Sequence, residues 1–159
     1  MLFRSYTAFG EPSNHINCWS HILTAIRKKR ERNNLLKLKI LEVGAGKTGF
    51  SQFLNKEGVR NSIEYHVQDV TKYNEIWLRC EADFVFFGDI SEYPLHVDYD
   101  IIFSTYVLEH VSNPILHLDR LLNLMSPQGH LFLFSPRYDL PGDRKSTRLN
   151  SSHEWISRM

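Results

Sequence analysis

Ile40-Leu41-Glu42-Val43-Gly44-Ala45-Gly46-Lys47-Thr48-Gly49-Phe50 decides the fold. Apolar residues run up to a carboxylate, two glycines allow a sharp backbone turn, and a third glycine opens the next element. Glycine populates positive φ without steric penalty, so such a turn lets backbone N–H groups approach a ligand closely. The stretch reads as a buried strand, a turn and the start of a helix, the usual setting for part of a nucleotide-like cofactor.

Outward from this turn, apolar segments alternate with helical ones. Strands are expected at Leu38–Val43, Ile63–Val67, Phe84–Phe87, Asp100–Ser104 and His130–Phe134. Between them, helices are expected at Phe50–Lys56 with Gly58 closing the end, at Tyr73–Arg79, near Tyr106–His110, and from Pro114 through Met125. Before the first strand, Ile16, Trp19, Ile22, Leu23 and Ile26 recur at helical spacing, giving a helix over His15–Arg32 capped by Ser13 or Asn14. Its basic end, with Lys28, Lys29, Arg30 and Arg32, reads as a solvated helix terminus rather than a phosphate patch. Strands that are apolar nearly throughout belong to a parallel sheet covered on both faces, hence a doubly wound, mostly parallel α/β fold. Ligands of such sheets sit beyond the C-terminal strand ends at the point where strand order reverses. The glycine turn, Asp69, Asp89 and the 104–110 segment all fall at such ends.

Composition narrows the function classes. The chain has 159 residues, enough for one sizeable core, with 42% hydrophobic residues and a formal net charge of +1. Near-neutral charge offers no whole-molecule case for nucleic acid or a membrane surface as partner. No apolar run reaches the length of a membrane span, and Met1–Ser5 lacks the apolar core of a signal peptide. Cys18 and Cys80 form no CxxC pair, which points to a reduced, cytoplasmic setting.

Two cofactor readings follow from the residues. Gly44-Ala45-Gly46-Lys47-Thr48-Gly49 is a literal GxGxxG, and Asp69 follows at the distance where an acidic residue holds a ribose diol, so a NAD-binding oxidoreductase stands as an alternative. A phosphate-binding P-loop does not, because Leu41 occupies the position of its first glycine. Against a dinucleotide, Glu42 puts a carboxylate at the strand tip, where a pyrophosphate is repelled and an ammonium is welcome. Gly88-Asp89-Ile90 offers a carboxylate acceptor for an exocyclic amine. The latter half reads Tyr99-Asp-Ile-Ile-Phe-Ser-Thr-Tyr-Val-Leu-Glu-His-Val111, then Met125-Ser-Pro-Gln-Gly-His-Leu-Phe-Leu-Phe-Ser-Pro136.

With these segments in this order, the chain resembles the class I S-adenosylmethionine-dependent methyltransferases over roughly 38–136. The resemblance implies that Glu42, Gly44, Ala45 and Gly46 line the methionine end of S-adenosyl-L-methionine. It likewise implies that Asp69, with Val70 beside it, takes the ribose hydroxyls and that Asp89 and Ile90 meet the adenine. Ser104 and Tyr106 would flank the sulfonium and the acceptor. The family loop usually reads Gly-x-Gly-x-Gly, whereas Lys47 and Thr48 separate Gly46 from Gly49 here. His110 is the candidate general base, although Glu109-His110 also suits a purely positional role. The implied activity is methyl transfer to a small-molecule acceptor, with a methyltransferase-like, non-catalytic subunit as a further alternative.

No metal site is expected, since His66, His96, His117 and His130 lack ligand spacing. Trp19 and Trp77 read as core residues; Tyr6, Phe9 and Trp19 could instead form a lid. The domain reading is a helical extension over 1–36, a partial methyltransferase domain over 37–142, and a distinct tail over 143–159. Asp143–His153 matches, residue for residue, one translation frame of a common short-read sequencing adapter, whose continuation supplies Ser157-Arg158-Met159. On that reading the tail is an artefact, the last strands of the family sheet are lacking, and the edge of the fifth strand is left unpaired.

Overall fold

The structure is a computed structural model that describes residues 12–32, 37–93, 97–135 and 154–156. Its elements run α1 (Pro12–Arg32), β1 (Leu38–Val43), α2 (Phe50–Lys56), β2 (Ile63–Asp69), α3 (Glu75–Glu81), β3 (Phe84–Phe87), β4 (Tyr99–Thr105), α4 (Pro114–Asn123), β5 (Met125–Ser135) and β6 (Glu154–Ile156). Short 3₁₀ turns lie at Arg60–Ser62, Ile90–Glu92 and Leu108–His110. Tyr6, Phe9, His96 and most of the tail lie outside the described residues.

The sheet order is β3-β2-β1-β4-β5-β6, parallel except for β6. Strand order reverses between β1 and β4, which places the ligand crevice above Val43 and Ser104, residues paired in register. Alternation along the strands sorts side chains onto two cores. Ile40, Tyr65, Val67, Phe103, Phe132 and Phe134 face α1 and α2. Leu41, Val43, Ile102, Leu131 and Leu133 face α4 and the 90–92 turn. Asn113 caps α4 by accepting from the Leu116 N–H at 3.1 Å, with Pro114 in the first turn.

Several expectations shift. α1 begins at Pro12, so Ser13 and Asn14 lie inside its first turn instead of capping it. α3 starts two residues later than expected, because Tyr73 and Ile76 point to solvent and Leu78 is its buried residue. The 106–110 helix is only a 3₁₀ turn. β5 starts at Met125, which pairs with Tyr99 across a register shift, and the Gln128-Gly129 turn lies inside that ladder. A Cβ at Gly129 would come within 2.9 Å of the Tyr99 carbonyl, so only glycine passes there. The edge of β5 is not open: Glu154–Ile156 pairs antiparallel with Leu133–Ser135.

The basic end of α1 is also not wholly solvated. Lys29 is buried at 8% exposure, donating from Nζ to the Gln128 carbonyl at 2.6 Å and lying 3.9 Å from Asp100. It ties α1 to the ends of β4 and β5. Lys29→Ala is expected to lower the unfolding free energy by about 1–3 kcal/mol, the worth of a charged hydrogen bond plus an orphaned carbonyl. A urea midpoint shifted at unchanged slope would show it. A loss below about 0.5 kcal/mol, typical of surface changes, would return Lys29 to the solvent.

Candidate functional site

Three strand ends are laced together beside the crevice. The Gly44 N–H donates to the Gln68 carbonyl at 2.8 Å and also faces Gln68 Oε1 at 3.2 Å, while the Ala45 N–H reaches the same carbonyl at 3.1 Å. Gln68 Nε2 donates onward to the Gly88 carbonyl at 2.6 Å, and the Gly88 N–H donates to the Asp69 carbonyl at 3.0 Å. Asp69 Oδ2 accepts from the Gly46 N–H at 2.7 Å, and its Oδ1 accepts from the Thr71 N–H at 2.8 Å and hydroxyl at 3.1 Å. The glycine turn, the end of β2 and the start of the 88–92 loop are therefore joined in one hydrogen-bonded network. Gln68 is the residue that sequence reading missed. Its only signal is an amide just before Asp69 at the end of β2, and it is 2% exposed.

Gly44 and Gly46 both have positive φ, +67° and +55°. Gly44 is closed from above by Val107, whereas nothing lies within 4 Å of where a Cβ would stand on Gly46. The open space is thus over Gly46. Beneath the turn lies Glu42, 5% exposed, accepting a hydrogen bond from the Tyr65 hydroxyl. Burial pushes its carboxyl up from 4.5 to about 7, with hydrogen bonds from Tyr65 and Thr48 opposing and nearby Asp69 adding to the rise. Burial, and then Glu42 itself, hold the Tyr65 hydroxyl well above its usual range.

At the other side of the crevice, Ser104 is buried at 1% exposure, and Tyr106 follows directly on Thr105, the last residue of β4. Tyr106 has φ +60°, a strained value for an aromatic residue. Its N–H donates to the Phe134 carbonyl at 2.8 Å, and its ring meets His15 edge-on at 5.7 Å between centroids. Burial pushes its hydroxyl up to about 12, with Cys18 and Glu109 contributing. Thr105 Oγ1 and Glu109 Oε2 are buried atoms with no hydrogen-bond partner among the described residues.

The remaining candidates spread outward. Asp89 is exposed, and its Oδ1 accepts from the Ser91 N–H at 2.8 Å; the Ser91 hydroxyl first, and then this N–H, hold its carboxyl below the usual range. Val70 is exposed at 68%. The Ile90 side chain belongs to the core under α4, with Tyr93 and Leu121, and not to the crevice. His110 is exposed on its 3₁₀ turn. Among the described residues no cluster could hold a metal ion, and no helix is long and apolar enough to cross a membrane.

These features fit a cofactor with an amino-acid end and a nucleoside end. Open space over Gly46, a buried carboxyl below it, a strand-end carboxylate and orphaned polar atoms beyond β4 are the groups such a molecule would satisfy.

A family model described as a methyltransferase domain matches residues 16–158. Among solved structures, the plantazolicin methyltransferase BpumL in complex with a triazolic desmethylPZN analogue and SAH shares 19% identity at a TM-score of 0.59, over 79% of this chain and 51% of that one. Coclaurine N-methyltransferase bound to N-methylheliamine and SAH shares 17% at 0.53, over 71% and 35%. An S-adenosylmethionine-dependent methyltransferase from Mesorhizobium loti shares 18% at 0.53, over 64% and 48%. At these identities the likeness is one of fold. The chain spans about half the length of the plantazolicin enzyme. No curated protein matches its sequence.

Proposed function

The chain belongs to the methyltransferase-domain family, and we propose that it holds S-adenosyl-L-methionine across these strand ends for methyl transfer to a small-molecule acceptor. The observation that carries this reading is Glu42 buried under the Gly44-Ala45-Gly46 turn. A carboxyl there repels a pyrophosphate and suits an ammonium, which sets a nicotinamide dinucleotide aside.

The cofactor would supply a methyl group on a positively charged sulfur, open to direct displacement. The chain's own part is to bind, align and exclude water. Glu42, ionised by the incoming ammonium, would anchor the amino-acid end where Gly46 leaves space. Asp69 uses three of about four carboxylate acceptor positions on Gly46 and Thr71. The remaining position, or exchange with the Thr71 hydroxyl, would serve a ribose hydroxyl. Asp89 keeps its second oxygen for the adenine amine. Ser104 and Tyr106 would stand beside the sulfur, Tyr106 held there by its strained backbone. His110 is the base available where the acceptor must lose a proton. A cytoplasmic location belongs to the same proposal, supported by Cys18 and Cys80 both being free thiols.

Calorimetric titration with S-adenosylhomocysteine tests the reading. Binding is expected, and Asp69→Ala should weaken it about tenfold or more, the worth of charged hydrogen bonds. Tight NADH binding without S-adenosylhomocysteine binding would overturn it.

A further inference from the structure

Outside the crevice, α1, α2 and the Lys47–Gly49 segment line a half-open cavity of about 600 Å³ that includes none of the residues assigned to the cofactor. That volume suits a small organic ligand. Its walls are aromatic: Trp19 and Phe53 lie 5.6 Å apart between ring centroids, and Trp77 closes one end. Trp77 is itself held by its indole N–H, which donates to the Thr48 carbonyl at 2.7 Å.

The charged groups of the cavity sum to a net positive charge. Arg27 is neutralised by Glu57 at 3.0 Å. Lys47 sits over the Trp77 ring at 5.4 Å, which keeps its ammonium at the wall. Lys56 lines the cavity with no ion-pair partner among the described residues. Two cations are thus left uncompensated. Trp19 is 6% exposed and forms the inner, apolar wall of the cavity.

We propose that this cavity is a second binding site, taking a flat aromatic ligand with a carboxylate or similar anionic group. The ring would pack between Trp19, Phe53 and Trp77, while the anion meets Lys47 and Lys56. The proposal stands on this cavity alone and does not depend on the methyl-transfer reading.

Calorimetric titration of the full chain with 2-naphthoate and with 2-naphthylmethylammonium tests it, since the two probes share a ring and differ in charge. The naphthoate is expected to bind at least about tenfold more tightly. Lys47 and Lys56 are exposed, so Lys47→Glu/Lys56→Glu should retain the fold and weaken naphthoate by about tenfold or more. Equal binding of the two probes, or naphthoate affinity unchanged by the lysine substitutions, would overturn the proposal.

Discussion

Gly44→Ala is expected to lose about 2–5 kcal/mol of stability, a large part of the about 5–15 kcal/mol typical of a folded domain. Two separate effects add. The backbone has φ +67°, where an L side chain carries about 1–2 kcal/mol of strain. The new Cβ would also lie 2.3 Å from Val107 Cγ2, a clash that must move the segment after β4 and typically costs about 1–3 kcal/mol. Gly46→Ala separates the terms. Its φ is +55° but nothing lies within 4 Å of the added atom. It should therefore show only the strain of about 1–2 kcal/mol. Val107→Ala in the Gly44→Ala background should return part of the lost stability and leave the strain. Binding inverts the order of severity. The methyl on Gly46 fills the space proposed for the amino-acid end, so Gly46→Ala should nearly abolish S-adenosylhomocysteine binding while melting close to the parent. Urea unfolding of the variants checks the stabilities, and equal losses for Gly44→Ala and Gly46→Ala would refute the clash.

The same contrast explains what the sequence could and could not reveal. β1, α2 and β3 have the bounds their residues imply, since each is bracketed by glycines or a change from apolar to polar residues. The strand-end placement of Glu42, Asp69 and Ser104 follows from that periodicity alone. What escaped reading depends on partners distant in the chain. Gln68 bonds backbone groups 24 and 20 residues away, so nothing near it in sequence announces its task. Lys29 sits among four other basic residues, Arg27, Lys28, Arg30 and Arg32, and only the arrival of Gln128, 99 residues on, distinguishes it from them. Tyr73 and Ile76 misplace α3 because their apolar character suggests burial, whereas they are 92% and 83% exposed. Ile90 falls at a strand end, yet its side chain turns under α4, a choice made by packing against Leu121 rather than by the loop sequence.

Glu42→Gln is expected to make the protein more stable and bind its cofactor less well. The amide copies the protonated carboxyl: it can still accept from the Tyr65 hydroxyl, but it never ionises. In the native chain the carboxyl is raised from 4.5 to about 7, chiefly by burial. Between these values the folded chain holds a proton that the unfolded chain has released, so stability falls as pH rises through this window and levels off above it. The stability of Glu42→Gln relative to the parent should then be near zero at pH 4.5 and reach about 3 kcal/mol by pH 8. His66, His117 and His130 work oppositely: burial lowers each, so they favour the fold as pH rises toward 6.5. Present in both proteins, they cancel in the difference. Affinity should move the other way. An ammonium beside Glu42 favours the ionised form, so parent affinity for S-adenosylhomocysteine rises with pH through about 7, and binding there releases a proton. Glu42→Gln should show neither effect and bind about tenfold or more weakly at pH 8. Titrations in buffers of differing ionisation enthalpy read the proton directly. Identical pH profiles for the two proteins would remove Glu42 from the cofactor site. A flat profile with stability gained and affinity lost is what a carboxyl kept at the expense of the fold should give.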